Sequence, residues 1–193
     1  MSCRKKSHRA TDSLEVNLTD LDETGRLHYF YHSPSSDLPI RDVLGEQGKG
    51  RKTEPYLERN AENYCRRCWP RNIEAFLRSS EKYLFLFTRC ARKESKRKDR
   101  RYIVGYIRKE RCIDRGGFWA VAGKTKVYSF EDAFQLRKLS YATNARHVRR
   151  VLTKRQTECV LQSFTGKRNK LTACLEELSC LKEKLRRGER RCR

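Results

Sequence analysis

Two short apolar runs, Tyr83–Phe87 (YLFLF) and Tyr102–Ile107 (YIVGYI), constrain this chain more than any other feature. Each is rich in aromatic and β-branched side chains and too short for a helix of ordinary length, so both predict buried strands. Between them, eight of the thirteen residues 89–101 are Arg or Lys. Folding requires no such charge in the connection of two core strands. A cationic tongue of this kind points outward, to a partner.

The remaining elements are read around this pair. A strand is expected near Leu27–Tyr31, another over Trp119–Ala122 after the Gly116-Gly117 turn, and a further one through Lys126–Ser129. Residues 33–55 carry Pro34, Pro39, Gly45, Gly48, Gly50 and Pro55 and read as loop. Residues 56–79 read as helix in two pieces broken at Pro70, with Ile73, Phe76 and Leu77 on one face. In SFEDAF, Ser129 and Asp132 resemble a capping box.

Beyond residue 136 the composition shifts. Residues 137–155 hold seven basic side chains and no acid, with Val148, Val151 and Leu152 at helical spacing. Leu171, Cys174, Leu175, Leu178, Leu181 and Leu185 form an apolar helical stripe, suited equally to a protein partner and to the chain's own core. The expected organisation is a basic, disordered segment 1–24, a domain over 25–136, and a basic helical extension over 137–193.

Charge now becomes informative. Lys and Arg number 46 against 24 Asp and Glu, a formal net charge of +22, which predicts a polyanionic partner. No apolar run spans a bilayer and no signal peptide is evident, so a cytoplasmic location without membrane contact is expected. Nine cysteines, scattered and odd in number, then read as free thiols.

Motifs of catalysis and metal binding are incomplete. Cys65-Arg-Arg-Cys68 has zinc-knuckle spacing, yet Cys90 and Cys112 stand singly and supply no second close pair. Ala122-Gly123-Lys124-Thr125 resembles the end of a phosphate-binding loop, but Phe118 occupies the place of its first glycine; Gly123 is expected to serve a turn. Tyr102–Tyr106 superficially suggests a small nuclease, though Glu94, Glu110 and Asp114 form no recognisable acidic constellation. No catalytic residue, metal or cofactor is assigned. The basic clusters carry the chemistry instead, as contacts to phosphates, with Trp69 and Trp119 as the aromatic faces best placed for stacking a base.

The order Arg59-Asn-Ala-Glu-Asn-Tyr64, Trp69-Pro-Arg-Asn72, the strand YLFLFT, a charged connection and the strand YIVGYI is similar to the EVE domain of the PUA-like superfamily. It also resembles the nucleotide modification associated domains, over residues 55–136. The resemblance implies an α+β fold: a small mixed β-barrel with flanking helices, followed here by the basic helical extension. It implies a pocket for a flipped-out or modified base near Trp69, Arg71, Asn72, Phe87 and Thr88, with Trp119 beside it. Arg92, Lys93, Lys96, Arg97, Lys98, Arg100 and Arg101 would grip phosphates next to that pocket. The expected function is therefore binding of DNA or RNA, including reading of modified bases. The alternatives are a nucleic-acid-processing enzyme and an accessory protein that docks through helix 171–185.

Overall fold

The two apolar runs form the centre of a sheet. In the computed structural model, which describes residues 21–29, 32–33, 36–40, 62–65, 76, 79–90, 101–114, 119–139 and 151–187, they lie in β3 (Glu81–Arg89) and β4 (Arg101–Asp114). These pair antiparallel, from Tyr83 opposite Arg108 to Arg89 opposite Arg101. Around them stand β1 (Asp22–Tyr29), β2 (Glu62–Cys65), β5 (Trp119–Val127), β6 (Phe134–Gln135) and β7 (Val151–Leu152). The sheet order is β2-β5-β4-β3-β1-β7, with β6 pairing the start of β4. β1 runs parallel to β3 and every other pairing is antiparallel.

This is a mixed α+β fold with an open sheet. Among the described residues β2 and β7 end the strand path and do not pair with each other, so the expected barrel does not close. Both ends are short, four and two residues, and closure demands a continuous staggered ladder around the whole ring.

Alternation along β3 separates two cores. Tyr83, Phe85 and Phe87 face one side with Leu27, Ile103, Tyr128, Leu152, Val160 and Phe164. Leu84 and Leu86 face the other with Phe76, Val104, Ile107 and Phe130. A bulge in β4 fits its sequence to both. Leu86 pairs with Gly105 and Phe87 with Ile103, which leaves Val104 as an extra residue. Ile103 and Tyr106, three apart, thereby reach the same core while Val104 enters the other. The glycine of Ile103-Val104-Gly105 has its own reason: a Cβ there would lie 2.3 Å from the Lys126 carbonyl oxygen of β5.

Several local expectations change. Glu62–Cys65 is a strand on β5 rather than helix; Asn, Tyr and Cys are indifferent helix formers, and pairing decides. Trp119–Val127 is one strand, with Gly123 in its interior and not in a turn. A Cβ on Gly123 would meet the Arg108 carbonyl oxygen at 1.7 Å, so the residue permits close strand approach beside a second β4 bulge at Glu110. Ser129 Oγ donates to Asp132 Oδ2 at 3.2 Å and the Asp132 amide to the Ser129 carbonyl at 3.1 Å, closing a turn and not starting a helix.

The segment after residue 136 joins the cores. Val151–Leu152 pairs with Arg26 and Gly25 of β1. Thr153 then caps α1 (Lys154–Ser163) through a reciprocal box with Gln156. Leu152 and Val160 are fully buried in the first core, Val160 contributing roughly 1.5–3 kcal/mol by its burial. Asn169 docks α2 (Leu171–Arg186) on β5: its Oδ1 accepts from the Val127 and Leu171 amides, and the Lys170 amide donates to the Val127 carbonyl. Leu171, Cys174 and Leu181 pack with Ile40, Leu38 and Val127. Three residues of the predicted apolar stripe, Leu171, Cys174 and Leu181, thus rest on the chain's own residues. Among the described residues no helix is long and apolar enough to cross a membrane.

Candidate functional site

The expected base pocket and tongue are only partly in view. Trp69, Arg71, Asn72, Cys68 and the tongue residues Arg92, Lys93, Lys96, Arg97, Lys98 and Arg100 lie outside the described residues. Trp119 opens β5, opposite Asp114 on one side and Cys65 on the other. Phe87 is in the first core, edge-on to Tyr29 at 5.2 Å. Thr88 is fully buried and pairs with Tyr102. Consecutive strand residues project to opposite faces, so Phe87 and Thr88 do not line one cavity together.

At the root of the tongue, Arg89 is exposed and faces Arg101, which is buried to 8% exposure. Two arginines directly opposite on neighbouring strands repel. Alternation puts both on the face of Phe87 and Ile103.

A second group of cations lies on that same face and was not singled out from the sequence. Arg108 of β4 sits directly opposite Lys124 of β5, and the next row pairs Tyr106 with Lys126. Arg108, Lys124 and Lys126 are exposed and Tyr106 half-buried, whereas Ile107, Lys109, Thr125 and Val127, their strand neighbours, are buried on the opposite face. The signal was the alternation Lys-Thr-Lys-Val at 124–127, where a phosphate-loop fragment drew attention to the glycine instead. Opposite charge elsewhere on this part of the sheet comes from Glu110, exposed at the bulge, and from Glu23.

Glu23 belongs to a polar band where β1 and β3 begin. Arg26 grips Glu81 with two parallel bonds, Nε to Oε2 at 2.9 Å and Nη2 to Oε1 at 2.7 Å, and Ser79 donates to the same carboxylate. Ser80 donates to Asp22 and Lys82 to Glu23. The Lys82 bond holds the Glu23 carboxyl below its ordinary range, helped by the Tyr83 hydroxyl. Burial, then the Glu23 charge, pushes the Tyr83 phenol up to about 12. Each of these acids is engaged by a donor, so the band ties two strands together and offers no unengaged acid for proton transfer.

Lys109, 2% exposed, is a further buried cation. Its Nζ donates to the carbonyls of Phe76 and Ser79, both at 2.8 Å, and lies 4.5 Å from the Phe76 ring centroid. It fixes the turn entering β3. Cys90, Cys159, Cys174 and Cys180 are free thiols; burial pushes Cys174 up to about 12 and leaves it inert. Among the described residues no group of three or more His, Cys, Asp or Glu is placed to hold a metal.

Compared with known proteins, the chain matches no family model, no curated protein and no solved structure.

Proposed function

We propose that this protein binds nucleic acid through its phosphate backbone, with the cationic tongue between β3 and β4 as the principal grip. The observation that carries the reading is a net charge of +22 with six basic residues in the connection of β3 and β4 and two more, Arg89 and Arg101, at the strand ends that flank it. The strands on either side are held by apolar packing, and at the tongue's root Arg89 stands opposite Arg101. Charge retained against self-repulsion is accounted for by a polyanion that neutralises it. The residues assigned to phosphate are Arg92, Lys93, Lys96, Arg97, Lys98, Arg100 and Arg101.

Base reading in a PUA-like manner is the finer form of this proposal. Its support is the motif order Trp69-Pro-Arg-Asn72, YLFLFT and Ile103-Val104-Gly105, together with the β3–β4 pairing that joins the last two. The test separates the two levels. Neutralising Lys96, Arg97 and Lys98 to Gln should lower affinity uniformly across oligonucleotides and flatten its salt dependence, because phosphate contacts carry no sequence information. Trp69→Ala should remove preference among modified and unmodified bases while leaving general binding. Unchanged affinity in the triple variant would refute the tongue as the grip, and a uniform loss in Trp69→Ala would refute the base pocket.

A further inference from the structure

We infer that the exposed row where β4 and β5 extend beyond the first core is a second polynucleotide-binding surface, on which Arg108, Lys124 and Lys126 contact backbone phosphates. This inference rests on the nucleic-acid reading and adds a place on the fold remote from the tongue.

Arg108 and Lys124 are directly opposite, so their Cβ atoms stand roughly 4.5–5.5 Å apart, and Lys126 lies one side-chain repeat along β5. Like charges opposite each other on a sheet are unfavourable, by up to about 1 kcal/mol. None of the three forms an ion pair with an acid of the described residues. Glu23, whose charge reaches Arg108, is already engaged by Lys82 and Tyr83.

Lysines on a strand often serve to block edge-to-edge pairing. That duty is filled here by other groups. Asn169 binds the Val127 amide and its Nδ2 donates to the Thr125 carbonyl at 3.4 Å, and the Lys170 amide takes the Val127 carbonyl. Earlier in the strand, β2 pairs with Trp119–Ala122. The edge of β5 is therefore protected by backbone and amide groups, and Lys124 and Lys126 stand free on the face.

Position completes the case. Arg101 and Arg108 belong to one strand and one face, seven residues apart with a bulge between, which is roughly 20 Å along β4. Between them that face is covered by the first core, with Ile103 buried and the Phe164 ring against Tyr106, so the row is a separate surface beyond the core. The three side chains offer positive charge alone, so the contact is to phosphate and not to a chosen base.

The experiment uses the full chain with Arg108, Lys124 and Lys126 changed together to Gln, and measures anisotropy of a labelled single-stranded oligonucleotide over a salt series. Three lost contacts should reduce the slope of log affinity against log salt by about 2, at roughly 0.7 per contact. The thermal midpoint should hold or rise, since repulsion is relieved and all three residues are exposed. If wild type binds with a steep slope and the variant matches it, the row is a solvated face and the inference falls while the tongue reading stands. If wild type shows no salt-dependent binding, both fall. Binding of wild type to phosphatidylserine vesicles that the variant loses, with oligonucleotide affinity unchanged, would assign the row to a membrane and overturn the inference.

Discussion

Lys109→Met is the sharpest probe of how this fold is held. The ammonium lies inside the second core, with carbonyls of Phe76 and Ser79 at 2.8 Å and the Phe76 ring beneath it. Methionine keeps the unbranched stem and removes the charge. The Phe76 carbonyl would still accept from the Ser79 amide at 3.3 Å, so the main loss is at Ser79, whose carbonyl forfeits a charged donor. A hydrogen bond to a charged group is worth roughly 1.5–3 kcal/mol, and a desolvated cation over a ring adds up to about 2. Against these stands the desolvation cost of the ammonium, several kcal/mol, which the substitution removes. Taking the charged bonds as only partly offset, the variant should be about 2 kcal/mol less stable. At roughly 2–4 °C per kcal/mol for a chain of this size, the midpoint should fall by about 4–8 °C. Thermal unfolding followed by circular dichroism, with Lys109→Arg alongside, measures it. A midpoint equal to or above wild type would refute the reasoning, because it would mean that burial of the charge outweighs the bonds it makes.

Two further outcomes follow from the sheet. Gly123→Ala should destabilise by about 1–3 kcal/mol, since a Cβ at 1.7 Å from the Arg108 carbonyl forces the strands apart; an unchanged unfolding midpoint would contradict the close approach. Tyr83 should resist ionisation until about pH 12. Because its folded value is raised above the ordinary 10.0, its contribution to stability is present below pH 10 and is lost as pH climbs through 12. Phenolate absorbance during alkaline titration checks this, and Tyr83→Phe should reduce the late step by one phenol while Tyr128, also raised by burial, keeps its own. Glu23 behaves in the opposite sense: its lowered value contributes stability above the ordinary 4.5 that is lost as pH falls below it. Glu23→Gln should therefore soften the acid transition.

Legibility in the sequence followed locality. β3 and most of β4 were readable from YLFLF and YIVGYI because both are apolar enough to be buried on two faces. The α2 helix was readable from its leucine spacing, and Leu171, Cys174 and Leu181 of that stripe pack on Leu38, Ile40 and Val127. Glu62–Cys65 was not, since a four-residue strand takes its conformation from Trp119–Ala122, more than fifty residues away. Val151–Leu152 likewise became strand by pairing with β1, although three apolar positions had suggested a helix. The bulges at Val104 and Glu110 depend on register, which no single strand contains. The same limit hid Arg108, Lys124 and Lys126: each is an ordinary exposed cation alone, and only the β4–β5 pairing makes them a row.

On the proposed function, the excess positive charge serves to hold phosphates. The most direct test is the affinity of the full chain for a single-stranded oligonucleotide and a duplex between low and physiological salt. Log affinity should fall linearly with log salt, steeply enough to count several released ions. Affinity indifferent to salt, or no binding at low salt, would contradict it.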